Sequence, residues 1–186
     1  MFRKRFCIVL FSSFLFFSCK DEIVLPKPKA MLRLEYPNAV KGLLETEKYQ
    51  FEYNSQSKIK SKTKGSVVLD YPMMKGAIYI TYKKVENNLR KLIRDADKLS
   101  FEHAAMADHI TPHPFVNKEE KVYGVFFQVE GNAASQAQFY VTDSVQHFVT
   151  GSLYFAAKPN YDSIQPAADY LQKDIRKIME SLQWKN

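Results

Sequence analysis

Cysteine is almost missing from this chain. Its two cysteines, Cys7 and Cys19, both lie near the start, so no disulfide framework can staple the body, whose stability must come from packing. Six glycines and eight prolines are too few for a flexible or low-complexity chain. No apolar run approaches the roughly 20 residues that a membrane-spanning helix needs. There is no internal repeat, no glycine-rich phosphate loop, no dinucleotide fingerprint and no Gly-x-Ser-x-Gly elbow, so the sequence carries no signature of nucleotide chemistry or of an α/β-hydrolase.

What is present begins at the first residues. Arg3, Lys4 and Arg5 precede an apolar run from Phe6 to Phe17, followed by Ser18 and Cys19. Three cations, about a dozen apolar residues and a small residue before a cysteine match a signal cut by a lipoprotein-type peptidase. Cys19 then becomes the first residue of the mature chain and carries a covalent lipid. The alternative is an ordinary cleaved leader with an incidental cysteine. The expected organisation is a signal peptide over 1–18, a lipidated cysteine and Pro/Lys-rich tether over 19–38, and one globular domain over 39–186. About 168 residues remain after cleavage, a one-domain length with room for a core. The leader holds three of the 27 basic residues and none of the 20 acidic ones, which leaves a surplus of about four positive charges. That mild surplus, in an exported chain, points away from nucleic acid as a partner.

Pro26, Lys27, Pro28 and Lys29 favour an extended lead-in, and Leu32 to Pro37 alternates like an edge strand or docking segment. Tyr49 to Tyr53, Val67 to Leu69 and Ala77 to Val85 read as strands. Leu89, Leu92, Ile93, Ala96 and Leu99 recur at helical spacing, with Asn87 or Asn88 as cap and an expected end near Ala107. Thr111, Pro112, His113 and Pro114 read as a break. Lys121–Glu130, Gln136–Thr142 and His147–Ala157 predict an antiparallel meander. Asp162 with Gln165 predicts a capping box, with Pro166 in the first turn. A stripe of Ile164, Ala168, Leu171, Ile175, Ile178 and Leu182 makes the last helix amphipathic. The expected class is α+β: an antiparallel sheet with two major amphipathic helices packed on it.

Four constellations could carry function. Lys58, Lys60, Lys62 and Lys64 alternate with other residues, so an extended chain would align their ammonium groups. They either protect a solvated edge strand or contact an anionic surface such as lipid A phosphates or acidic glycan. His103, His109 and His113, with Glu102 and Asp108 nearby, invite a metal reading, but their spacing does not converge on one helical face and no metal is expected. Asp143, Ser144 and His147 hold the residue types of a hydrolase triad, yet sit too close together for strand–turn–strand geometry to orient them, so a turn is expected. Tyr36, Tyr49, Tyr53, Tyr71, Tyr79 and Tyr82 fit either a sugar-binding surface or sheet packing, and packing is the commoner use. No cofactor beyond the lipid on Cys19 and no enzymatic activity are expected.

Several segments resemble one family. Leu25 to Lys29 followed by Leu32 to Pro37 is similar to the start of the gliding motility lipoprotein GldD family of Bacteroidetes. So are Gly131, Asn132, Ala133, Ala134 and Ser135, then Gln138 to Tyr140, Thr142 to Ser144, His147-Phe148, Gly151 to Phe155, Pro159-Asn160, Asp162-Ser163 and the ending Leu182 to Trp184. The ending also resembles PsbP-like αβ sandwiches. The resemblance implies a lipoprotein anchored in the outer membrane, needed for gliding. Its implied partners are other envelope proteins of the gliding and type IX secretion machinery. It assigns no catalytic residue. Lys20, Asp21 and Glu22 resemble a surface-export signal, and the periplasmic and surface leaflets both stay open. The competing class is a module that binds peptidoglycan or another envelope glycan.

Overall fold

The computed structural model describes residues 36–63, 65–102, 106–156 and 160–185; the side chains of Ser61 and Lys62 fall outside that description. The leader, Cys19, the tether up to residue 35, Lys64 and His103 therefore lie outside the described residues.

The chain is α+β, with every strand pairing antiparallel. β1 (Lys41–Glu45) and β2 (Tyr49–Asn54) form a hairpin. Thr46 closes it: its Oγ1 donates to Tyr49 O at 2.7 Å and accepts from Tyr49 N at 3.0 Å. A larger sheet follows. Its strands are β3 (Lys58–Thr63), β4 (Ser66–Tyr71), β5 (Gly76–Lys84), β6 (Ala107–Asn117), β7 (Val122–Gly131), β8 (Ser135–Thr142) and β9 (His147–Phe155), in the order β3-β4-β5-β9-β8-β7-β6. The meander expected from the sequence is β7-β8-β9, and β9 carries it on to β5. At the end of the chain β10 (Gln183–Trp184) pairs with β2 and completes a three-stranded sheet.

Two helices cover opposite faces of the large sheet. α1 (Leu89–Glu102) shares a core with Val85, Phe127, Tyr140 and Phe148. α2 (Tyr161–Ser181) lies on the other face among Ile78, Ile80, Phe126, Phe139 and Leu153, with β2 beside it. Successive residues of a strand point to opposite faces, so neighbouring Phe126 and Phe127 serve the two cores. The predicted stripe is buried where it matters most: Leu171 and Ile175 are 0% exposed and Ile178 is 1% exposed. Each such burial is worth roughly 1.5–3 kcal/mol. At Gly151 a β-carbon would lie 2.0 Å from the Phe139 ring, so only glycine lets that ring cross β9 beneath α2.

Several details differ from expectation. α1 stops at Glu102, and Ala107, its expected end, opens strand β6. The Thr111–Pro114 segment is therefore strand, not a break. Pro112 and Pro114 are two apart, opposite Phe127 and Val125. Backbone donors alternate between the two edges of a strand, so both prolines take positions whose missing N–H would face away from β7. β6 is an edge strand, and the prolines cost it no ladder bond. At the last helix the N-cap is Asn160, without a side-chain cap bond, and Asp162 lies in the first turn, so the predicted capping box does not form. The Tyr161 N–H instead donates to Asn132 Oδ1 at 2.9 Å, from the β7–β8 turn. Pro166 sits inside the helix, past the first turn, and leaves the carbonyl four residues earlier without its usual helical donor.

Candidate functional site

Lys58, Lys60 and Lys62 fall on β3, one edge of the large sheet. Their strict alternation does not survive. The register shifts between Ile59 and Ser61, so Lys58 pairs with Asp70 whereas Lys62 pairs with Val67. A bulge of this kind ends the equivalence of positions two apart. Lys60 Nζ meets Asp70 Oδ1 at 3.0 Å, so one cation of the row is neutralised.

Asp143, Ser144 and His147 form the β8–β9 turn. Asp143 Oδ1 accepts from the backbone N–H groups of Val145, Gln146 and His147 at 2.8–2.9 Å. Burial raises the Asp143 pKa, but these bonds outweigh it and hold the carboxyl below its usual value. Ser144 takes φ 69°, the left-handed conformation of a tight turn. His147 is bound elsewhere: its Nδ1 lies 2.9 Å from Tyr82 Oη and its ring stacks on Trp184. Each member of the triad-like set thus has a structural role.

His109 and His113 lie on β6. The His113 ring packs 5.9 Å from Phe126, over which the Arg176 guanidinium also lies, 4.5 Å from the ring centroid. Among the described residues no group of three or more His, Cys, Asp or Glu side chains is placed to hold a metal ion. The tyrosines mostly pack. Tyr49 is fully buried between Phe51 and Tyr82, and Tyr71 is 3% exposed, whereas Tyr36 rests on Tyr170 and Tyr79 faces out.

The structure brings together a set the sequence did not reveal. A cleft of about 290 Å³ opens between β1–β2 and α2, lined by Val40, Lys41, Glu52, Tyr53, Asn54, Lys173, Asp174 and Lys177. Asp174 is 7% exposed, and its Oδ2 accepts from Asn54 Nδ2 at 3.0 Å. Asn54 Nδ2 also reaches Tyr170 Oη at 2.9 Å, and that hydroxyl donates to Pro37 O at 2.7 Å, pinning the lead-in to α2. Burial pushes the Asp174 pKa up, against the bond from Asn54. Burial and then the Asp174 charge push up that of Tyr71, whose hydroxyl has no partner at hydrogen-bond geometry among the described residues. Glu52 shifts the other way, lowered by Lys41 and Lys177, both of which ion-pair with it. The cleft therefore pairs a carboxyl biased toward its neutral form with one biased toward its ionised form, each already bonded to the protein. One signal was readable in the sequence: Asp174 falls between Leu171, Ile175 and Ile178 on the apolar stripe, where a carboxylate needs a partner.

The described residues form an antiparallel α+β domain of two sheets and two helices. The family model for the gliding motility lipoprotein GldD matches residues 21–184, and the chain belongs to that family. The family is one of lipoproteins, and so of lipid-anchored, membrane-associated proteins. A comparison with curated proteins finds no match.

The family-like segments have physical reasons. Gly131 takes φ 101°, and a β-carbon there would lie 2.6 Å from Asp108 N. Asn132 caps α2, Ala133 is 2% exposed, and Gln136 Nε2 donates to the carbonyls of Gly131 and Ala133.

Proposed function

We propose that the protein is an outer-membrane lipoprotein required for gliding, lipidated on Cys19, and that it works without catalysis as an assembly or stabilising component of the gliding and type IX secretion machinery. Its partners on this reading are other envelope proteins of that machinery, with neither cofactor nor nucleic acid involved. The observation that carries the reading is the use made of the reactive residue types: Asp143 is clasped by three backbone donors, His147 is held by Tyr82 and Trp184, and Asp174 is bound by Asn54. Lys58, Lys60, Lys62 and Lys64 remain candidates for an anionic-surface contact, with Lys60 already engaged by Asp70. The test is a Cys19→Ala variant in cells fed labelled fatty acid. The expected result is loss of label and of membrane retention, with other envelope proteins co-purifying with the wild type from detergent extract. Retention of the unlabelled variant in washed membranes would defeat the anchor, and a wild type that extracts alone would defeat the assembly role.

A second reading, an envelope glycan module, is favoured by the cleft, which places the Tyr53 ring beside Asn54 and Asp174 at the volume of a small ligand. Binding of peptidoglycan fragments, lost on Asn54→Ala, would select it.

A further inference from the structure

α1 covers only part of its face of the large sheet. Ala96, Leu99 and Ser100 sit over Gln138, Tyr140, Thr150 and Ser152, and Ser100 Oγ donates to Gln138 Oε1 at 3.1 Å. Beyond Ser152 the same cross-strand row runs through Tyr79 on β5 to Val68 on β4. No described element lies over it. Tyr79 is 47% exposed and meets Tyr154 edge-on at 5.7 Å, and Leu99, at the border of α1, is 40% exposed. This is an aromatic and aliphatic patch on an open sheet face.

Several cations stand toward the other end of α1, beside the β8–β9 turn. Lys83 shares the α1 face of β5, since it pairs with Phe148 of the α1 core. Arg90, Lys91 and Arg94 are exposed along α1, and none of these four has an ion pair among the described residues. Arg90 and Lys91 lie in the first turn of α1, which contains no acidic residue. A helix start carries partial positive charge, so these two cations raise the energy of the isolated domain. They border an open concavity of about 640 Å³ shared with Asn87, Ser144 and Val145. An external anion array would offset that repulsion.

We propose that this face rests on the bilayer, with phosphate headgroups of anionic lipids on Lys83, Arg90, Lys91 and Arg94 and with Tyr79 at headgroup depth. Tyrosine, with an apolar ring and a polar tip, favours that interface. The inference rests on the lipid-anchored reading: a tether from Cys19 to residue 35, at about 3.3 Å per extended residue, keeps the domain within reach of the membrane. The face orients the domain and leaves the β1–β2 cleft, on the α2 side, for envelope partners.

The test uses the mature chain from residue 19 with Cys19→Ala, because a lipid would hold every variant on vesicles. Co-sedimentation is measured with vesicles rich in phosphatidylglycerol and with vesicles of phosphatidylcholine alone. The chain should bind only the former, with affinity falling as salt rises. The Arg90→Gln, Lys91→Gln, Arg94→Gln triple should bind about a hundredfold more weakly, and Tyr79→Ser several-fold more weakly. Lys83→Gln, on a different element, repeats the test should the triple fail to fold. Absence of wild-type binding to the anionic vesicles, a folded triple that binds like the parent, or retention by peptidoglycan or an acidic polypeptide in place of vesicles would each overturn the proposal. Fatty-acid labelling of Cys19 in cells reports on the anchor separately, so the two readings fail independently.

Discussion

The His147 imidazole lies on the Trp184 indole with ring centroids 5.1 Å apart and planes 11° from parallel. This stack joins β9 of the large sheet to β10 of the small one. Trp184 is held from the other side as well, its Nε1 donating to Lys121 O at 3.1 Å. Trp184→Ala should therefore loosen the small sheet, at a cost of about 1–3 kcal/mol. Thermal unfolding should show the loss, and hydrogen exchange should show it concentrated in β2 and β10. Unchanged exchange there would mean that the stack holds nothing.

The same histidine gives a pH dependence. Burial lowers the His147 pKa below its usual value; Lys48 adds to the shift and Asp143 opposes it. The unfolded chain therefore binds the proton more readily than the folded one. The stabilising contribution is complete above the unfolded value of about 6.5 and is lost as pH falls through the lower folded value. Stability should decline with acid across that window, and His147→Gln should flatten the slope. A histidine variant with the parent slope would assign the effect to another group.

Ile175 is fully buried at the centre of the α2 stripe. Ile175→Ala should cost about 2–5 kcal/mol, from lost transfer energy and the cavity left behind. Ile175→Asp should prevent the protein from accumulating. Denaturant titration of the alanine variant checks the first, and wild-type stability there would place the helix outside the core.

The α2 stripe and the β7–β9 meander were legible because their periods, near 3.6 and 2, are long and uninterrupted. β10 was not, since two residues carry no period and Trp184 could as well have ended the helical stripe. β6 was misread because proline marks a break only where its N–H is needed, and an edge strand spares alternate ones. The cap of α2 comes from Asn132, which is 29 residues before Tyr161 in sequence, beyond any local rule. The cleft around Asp174 joins β1, β2 and α2, and no local pattern in the sequence connects those elements.

The two prolines of β6 make a prediction of their own. Both edges of the large sheet are blunted, β3 by exposed lysines and a bulge, β6 by Pro112 and Pro114. Replacing both prolines with valine restores two outward N–H groups and raises strand propensity on an exposed edge. The double variant should keep its fold and self-associate, which sedimentation would detect as dimers or larger species. A strictly monomeric double variant would show that the prolines do not guard this edge.

The non-catalytic reading makes the last prediction. A hydrolase triad needs a carboxylate that orients the histidine and a histidine free to accept the serine proton. Here Asp143 spends its bonds on the turn, and His147 Nδ1 is taken by Tyr82. Ser144 is at a left-handed position that glycine adopts without strain. Ser144→Gly should thus remove the hydroxyl while leaving the turn intact, and gliding and surface-protein secretion should continue at near wild-type levels. His109→Ala with His113→Ala should behave likewise once abundance is matched, since neither joins a metal-binding group among the described residues. Loss of gliding in a folded, lipidated and normally abundant Ser144→Gly protein would require the hydroxyl itself, and the turn would then have to be treated as a reactive centre.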